Sequence, residues 1–83
     1  MITFEIKDAN KISEGIFEVQ IYCDLEGVKE LQRQLDFLLR GETHLHLATP
    51  SWAGWELDEK VLGDGNTLVN QVRITLVPTE IMQ

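Results

Sequence analysis

The chain has 83 residues, of which 43% are hydrophobic and 25% are charged, so it fits one small domain and is too short for a two-domain enzyme. Cys23 is the single cysteine, which excludes an internal disulfide framework and a cysteine-based zinc site. No apolar run approaches the roughly 18 residues of a membrane span, and the first residues lack a secretion-signal pattern, so we expect a cytoplasmic protein with no membrane partner.

The charge balance restricts the partners of the chain. Fourteen acidic and seven basic residues give a formal net charge of −7 and a pI near 4.6. This sign disfavours phosphate backbones, so we expect no direct binding to nucleic acid. The acidity either keeps a small domain soluble or favours a basic protein partner, whose association this field would accelerate.

The first quarter of the chain predicts two antiparallel strands. Apolar and polar residues alternate from residue 2 to 7 and again from 17 to 22, a period of two that is typical of half-buried strands. Turn formers occupy the residues between them, from Asp8 to Gly15.

The next segment predicts a helix over residues 25–40. Asp24 is a suitable N-cap, and Gly41 supplies the C-terminal stop. An apolar stripe at helical spacing predicts the face that covers a short sheet; it comprises Val28, Leu31, Leu35, Leu38 and Leu39.

Two further strands are predicted after the helix. His44 to Leu47 alternate in polarity, and Pro50 closes that strand. The last strand runs over residues 67–77 and places Asn70 on its apolar side, where it needs a hydrogen-bond partner; that side also carries Leu68, Val72, Ile74 and Leu76. We therefore predict a single α+β domain over residues 1–83, with one helix packed on one face of a mainly antiparallel, four-stranded β-β-α-β-β sheet, whose strand order the pattern does not define.

One helix covers one face of such a sheet, so the opposite face is expected to meet solvent or another chain. The residues predicted on that face are Thr3, Glu5, Glu18, Gln20, Tyr22, His44, His46 and Arg73.

The segment from Thr49 to Asn66 is the candidate for a functional site, because long connections in compact domains are commonly functional. It is too apolar for a disordered tether and is expected to be a packed loop with a tight turn at residues 63–66. Both tryptophans, Trp52 and Trp55, lie in it, with acidic neighbours at Glu56, Asp58, Glu59 and Asp64. Tryptophan is enriched at binding hot spots. A small chain also uses tryptophan to close the end of its core, so we expect at least one of the two to be mainly structural.

Catalytic chemistry finds little support in the chain. His44 and His46 would point to one face of a strand and could share a metal, but a third ligand is missing locally. Ser13, Ser51 and Cys23 lack the context of an activated nucleophile. We therefore expect no enzyme activity, no cofactor and no bound metal.

The run His44-Leu45-His46-Leu47-Ala48-Thr49-Pro50-Ser51-Trp52-Ala53-Gly54, followed by Glu56-Leu57, resembles the signature of immunity protein family 32 of bacterial polymorphic toxin systems. The likeness continues through Gly63, Gly65, Thr67-Leu68, Asn70 and Arg73-Ile74. The chain departs from the family pattern at Trp55, where the family has Asn, and at Gln71, where it has His.

The resemblance implies a small cytoplasmic protein that binds and neutralises a cognate toxin domain by stoichiometric inhibition. We infer that the toxin-facing residues are Trp52, Trp55, Glu56, Asp58, Glu59 and Asp64, with His44 and His46 as secondary candidates. Against a basic nuclease toxin, the carboxylates would stand where phosphates normally bind. The alternative function is a self-associating structural or regulatory module, a homodimer formed through the uncovered sheet face or an edge strand.

Overall fold

The computed structural model describes residues 1–79 and shows an α+β fold in which one long helix packs against antiparallel sheet. The predicted fold class is therefore confirmed. Its elements within those residues are β1 (Ile2–Lys7), β2 (Glu18–Cys23), α1 (Leu25–Leu39), β3 (His44–Ala48), β4 (Thr67–Val69) and β5 (Gln71–Thr75), with 3-10 turns at Ala9–Glu14 and Pro50–Trp52. No helix in this part of the chain is long and apolar enough to cross a membrane.

The strands form two antiparallel sheets. One sheet has the order β2-β1-β4 and the other pairs β3 with β5. The predicted pairing of the first two strands is confirmed, with Ile2 opposite Cys23 and Ile6 opposite Val19. β1 is therefore the central strand of its sheet, and β2 is an edge strand.

The predicted fourth strand is two strands, so the four-stranded description is wrong by one. The chain leaves the first sheet and enters the second at Asn70. Val69 lies opposite Phe4 and packs on the core, whereas Leu68 lies opposite Glu5 and shares its face. Leu68 was predicted to lie on the same side as Val72. Because Asn70 belongs to neither strand, the residue that packs on the core before it is Val69, and the one after it is Val72.

Asn70 is held between β4 and β5 by the residue that follows β3. Its carbonyl oxygen accepts a hydrogen bond from the backbone N–H of Thr49 at 3.0 Å, and its Oδ1 accepts one from the Thr49 hydroxyl at 2.8 Å. The partner that the sequence demanded for Asn70 is therefore Thr49, which is fully buried.

Both ends of α1 have the predicted caps. The Asp24 carboxylate accepts hydrogen bonds from Gly27 N–H at 2.8 Å and from the Met1 ammonium at 2.7 Å. The hydrogen bond from that ammonium is the main reason that the pKa of Asp24 lies below its usual value. At the other end Gly41 has φ 117°, and the N–H of Glu42 donates to the Phe37 carbonyl at 2.9 Å, the pattern of a Schellman cap.

The face that α1 turns to the sheet differs from the predicted stripe. Gly27 and Gln34 are buried, and Leu31 packs against the core. The predicted stripe residues Val28, Leu35 and Leu39 remain exposed. The reason is Gly27, because a Cβ there would overlap the Met1 carbonyl and lie 2.9 Å from the Cys23 Cβ. The backbone of α1 approaches the sheet at this glycine, so the helix face centred on Gly27 packs on the core residues Ile2, Phe4, Leu47 and Leu57.

This close approach predicts that Gly27→Ala destabilises the protein, although alanine favours a helix over glycine by about 1 kcal/mol. The added methyl group must displace the Met1 carbonyl or separate α1 from β2. We expect a lower midpoint in urea unfolding at low protein concentration. Gln32→Ala, on the exposed side of the same helix, is the control, and we expect it to change stability little. A Gly27→Ala variant more stable than the parent would show that this contact relaxes without cost.

Candidate functional site

The loop of residues 49–66 is packed onto the domain, as predicted. Leu57 is its core residue, with 2% of its surface exposed. Leu57 N–H donates to the Ala48 carbonyl at 3.2 Å, and Asp58 N–H donates to the Ile2 carbonyl at 2.8 Å. The loop is therefore hydrogen-bonded both to the end of β3 and to the start of β1.

The first part of the loop is a tight turn at the end of β3. The Thr49 carbonyl accepts hydrogen bonds from Trp52 N–H at 2.9 Å and Gly54 N–H at 3.0 Å. Ala53 adopts φ 63°, in the left-handed region that closes such a turn. A Cβ on Gly54 would overlap the Ala48 backbone, so the Trp-Ala-Gly sequence meets a steric demand of this turn.

Both tryptophan side chains project from the loop. Trp52 is 57% exposed and Trp55 is 65% exposed. Neither one closes the end of the core, so the expectation that at least one of them is mainly structural is wrong. Leu57 occupies the buried position in this loop, and both indoles remain accessible to a partner.

Trp55 lies beside Arg33 of α1, which also contacts Phe37, an arrangement that the sequence analysis missed. The Arg33 guanidinium carbon is 5.9 Å from the Trp55 ring centroid and 5.6 Å from that of Phe37. Arg40 lies 4.9 Å from the centroid of the Phe37 ring, and all three distances fit cation–π contacts. We call Arg33, Phe37, Arg40 and Trp55 the arginine–aromatic cluster. The sequence feature that could have indicated this cluster is the spacing of residues 33, 37 and 40, which places their side chains on one side of a helix.

Three of the four predicted acidic residues hold the loop in place. Glu56 accepts a hydrogen bond from Ala48 N–H at 3.0 Å, Asp58 from Ile2 N–H at 2.9 Å, and Glu59 from Ser51 N–H at 2.6 Å. Hydrogen bonds from Ser51 lower the pKa of Glu59 below its usual value. These carboxylates carry negative charge beside the tryptophans, and each also satisfies a backbone donor.

Asp64 differs from these three because it lies in the turn that leads into β4. Asn66 N–H donates to the Gly63 carbonyl at 3.1 Å across this turn, and Gly65 has φ 76°. Asp64 is exposed and lines a shallow pocket of about 160 Å³ together with Lys7, Gln20, Tyr22, Gly63 and Asn66.

Glu5 is the main anchor of the second half of the loop. One carboxylate oxygen accepts hydrogen bonds from Gly63 N–H and Asn66 Nδ2, both at 2.9 Å. The other accepts from Thr3 Oγ1 at 2.6 Å and Leu62 N–H at 3.0 Å. The side chain is fully buried. Its burial would raise the pKa of Glu5, but the four hydrogen bonds outweigh this and lower it from 4.5 to about 2.

The loop therefore covers the part of the sheet face on β1, which was predicted to be open to solvent or to another chain. Thr3 and Glu5 are fully buried beneath the loop, and Gln20 and Tyr22 are half-buried beside it. Asn66 Nδ2 also donates to Gln20 Oε1, at 2.9 Å. The prediction fails because alternation assigns a residue to a side of the sheet but does not show which distant segment packs there. The other members of the predicted face are exposed: Glu18, His44, His46 and Arg73.

His44 and His46 lie together on the exposed side of β3. Their rings are edge to face with centroids 5.1 Å apart, and Arg73 lies opposite His46 across the strand pair. A guanidinium at this position is unfavourable for a cation site. Residues 1–79 contain no group of three histidine, cysteine or carboxylate side chains placed to hold a metal ion.

We found no family model, no curated protein and no solved structure that matches this chain. The assignment of a function therefore rests on the residues of the site and on the motif resemblance.

The geometry of Glu5 predicts a large effect of Glu5→Gln on stability. The amide retains one acceptor oxygen, so partly buried N–H groups of Leu62, Gly63 or Asn66 lose their acceptor, each at a cost of up to roughly 1–3 kcal/mol. We expect a loss of about 3 kcal/mol in the free energy of unfolding at pH 7, measured by urea denaturation. Glu18→Gln, which changes an exposed carboxylate on the same side of the sheet, is expected to have little effect.

The same carboxylate predicts an acid-sensitive fold. Because the pKa of Glu5 falls from 4.5 to about 2 on folding, its contribution to stability is present above pH 4.5 and is lost as the pH falls toward 2. The free energy of unfolding should fall over this interval in the parent chain and fall less steeply in Glu5→Gln. Equal slopes in the two proteins would show that other carboxylates determine the acid response.

Proposed function

We propose that this chain is an immunity protein that binds a cognate bacterial toxin domain and neutralises it by stoichiometric protein–protein inhibition in the cytoplasm. The observation that carries the proposal is the exposure of Trp52 and Trp55 on a hydrogen-bonded turn. The resemblance of residues 44–74 to immunity protein family 32 supports it. On this proposal the chain supplies a surface and performs no chemistry of its own.

The tryptophans have the properties of anchor residues for a protein partner. Tryptophan and arginine are the residue types most often found at binding hot spots, and both occur in the arginine–aromatic cluster. The loop backbone that carries Trp52 and Trp55 is fixed by hydrogen bonds to β1 and β3. Binding would therefore order few backbone torsions, which reduces the entropic cost of association.

The charge of the chain supports a basic toxin. A net charge of −7 attracts a cationic protein over a distance greater than direct contact. Close to Trp55 the surface has charges of both signs, because Arg33 lies over its ring while Glu56, Asp58 and Glu59 lie in the same loop. We infer that overall charge accelerates encounter and that the rings and arginines determine how long the complex lasts.

The proposed mechanism is occlusion of the substrate cleft of the toxin. An aromatic surface bordered by carboxylates would cover that cleft, and for a nuclease the carboxylates would replace substrate phosphates. Asp64 is the carboxylate best suited to this role among the predicted residues, because Glu56, Asp58 and Glu59 each bind a backbone N–H of this chain. His44 and His46 extend the exposed surface on β3 and remain secondary candidates.

The proposal predicts that Trp52→Ala and Trp55→Ala each weaken toxin binding by at least about 1 kcal/mol, roughly a fivefold rise in Kd. Both side chains are more than half exposed, so each variant should keep its fold. The measurement is calorimetric titration with a catalytically disabled toxin domain encoded beside the gene. Trp55→Phe keeps a ring next to Arg33 and should lose less affinity than Trp55→Ala.

Phe17→Ala is the control for aromatic truncation, because Phe17 lies outside the loop, immediately before β2, and is 41% exposed. Its toxin affinity should equal that of the parent chain. Unchanged affinity in both tryptophan variants would remove the loop from the interface, and no binding by the parent chain would overturn the proposed function.

Electrostatic attraction to a basic toxin predicts that the association rate falls as salt is raised from about 0.05 to 0.5 M, since screening shortens the range of the field. Stopped-flow mixing at several salt concentrations measures this rate. Asp64→Asn should slow association more than Glu26→Gln, which removes an exposed charge at the start of α1. An association rate independent of salt would contradict a basic toxin.

A further inference from the structure

The helix α1 carries a second apolar face that is at least partly exposed in the part of the domain that the structure describes. Leu25, Val28, Leu35 and Leu39 are 69%, 41%, 39% and 84% exposed. With Gln32, which is also exposed, they follow one another at intervals of three, four, three and four residues. This spacing is the seam of a helix that packs lengthwise against another helix. We call these five residues the outer stripe.

The outer stripe is separate from both surfaces already described. At about 100° per residue, its centre lies roughly 110° from the face of Gly27, Leu31, Gln34 and Leu38 that packs on the domain. Arg33 and Phe37 lie about 120° and about 160° from the centre of the outer stripe around the helix axis. Leu31 packs on the core of this chain, and the buried Gln34 donates a hydrogen bond to Glu30. The stripe is therefore an additional apolar surface and not the edge of the core.

The charges beside the outer stripe indicate what covers it. Lys29 and Asp36 flank the stripe on the same side, one before and one after its central residue, Gln32. A two-fold axis near Gln32 that reverses the helix direction would place Lys29 beside Asp36 of a second copy, and this pairing would occur twice. Lys29 and Asp36 are seven residues apart, about 10 Å along the helix axis, too far to pair within one chain. Lys29 Nζ lies 3.5 Å from Glu26 in its own helix, an exposed contact that uses one of the three donors of the ammonium.

The same axis matches the other members of the stripe. It brings Leu25 next to Leu39 of the second copy and Val28 next to Leu35. The two Gln32 side chains would meet at the axis, where each amide can donate to the other and accept from it. A single polar residue in an apolar seam specifies register in paired helices. The stripe is therefore complementary to itself in shape, charge and hydrogen bonding.

We propose that this protein forms an antiparallel, two-fold homodimer through the outer stripe of α1. The proposal does not depend on the toxin, because it uses no residue of the loop or of the arginine–aromatic cluster. A 15-residue helix is about 22 Å long, so the seam is short and the interface lies at the small end of the range for specific complexes. The dimer should therefore dissociate on dilution.

Sedimentation equilibrium of the full chain from about 10 μM to 1 mM tests the proposal. We expect the mass to rise from monomer to dimer over this range. Replacing the two most exposed stripe residues in Leu25→Glu/Leu39→Glu should raise the dissociation constant at least roughly tenfold. Ile16→Glu is the matched control, because Ile16 is 59% exposed and lies outside α1, and it should leave the dimer unchanged.

Exchange of the charges tests the pairing itself. Lys29→Glu alone and Asp36→Lys alone should each weaken the dimer, because each places like charges together twice. The double variant Lys29→Glu/Asp36→Lys should restore it, an outcome that a purely apolar association would not give. A chain that stays monomeric up to about 1 mM, or a dimer insensitive to both the leucine and the charge variants, would overturn the proposal. The toxin should bind the parent chain and the double variant Lys29→Glu/Asp36→Lys, which has the same net charge, equally well whether or not the dimer forms, and this separates failure of this proposal from failure of the proposed function.

Discussion

The Glu5 carboxylate is the interaction that holds the second half of the loop against the central strand of the first sheet. It lies in the central strand of its sheet, fully buried, where an isolated charge would cost several kcal/mol. Four donors offset that cost, and three of them come from residues 62–66 at the far end of the loop. The charge therefore fixes residues 62–66, the end of a long loop that has no helix or strand of its own beyond one short 3-10 turn. Because neutralising the carboxylate removes acceptors from partly buried N–H groups, the loop is best ordered where Glu5 is ionised.

This arrangement changes the meaning of the acidity around the tryptophans. Glu56, Asp58 and Glu59 supply acceptors to backbone N–H groups of Ala48, Ile2 and Ser51, so a loop that lacks regular pairing satisfies its neighbours with side chains. Their charges still contribute to the field that a partner meets, but their substitution would disturb the turn that presents Trp52 and Trp55. The motif that carries the family resemblance likewise contains residues that build the turn and residues that the turn exposes. Thr49, Gly54 and Asn70 build the turn, and the indoles are what the turn exposes.

Local patterns predicted the elements that local chemistry decides. Alternation placed β1 and β2, Asp24 and Gly41 marked the ends of α1, and the composition of residues 49–66 indicated a packed loop. The errors arose where a distant residue decides the outcome. The bond from Thr49 to Asn70 breaks the last strand, the loop covers Glu5, and the approach of Met1 to Gly27 selects the inner face of α1. Within the candidate site, the two tryptophans could be identified from sequence, but the partners of Glu56, Asp58 and Glu59 could not, because those partners lie far along the chain or depend on the turn.

The position of Gly27 also explains why one helix offers two separate surfaces. If the predicted stripe had packed on the sheet, Val28, Leu35 and Leu39 would have been buried in the core. With Gly27 and Gln34 facing inward instead, the helix keeps apolar residues on one flank and the arginine–aromatic cluster on the other. These flanks point in directions more than about 100° apart around the helix axis. A second copy on the outer stripe would therefore leave Trp55 accessible, so the proposed dimer and the proposed toxin complex are compatible, with one toxin bound to each copy.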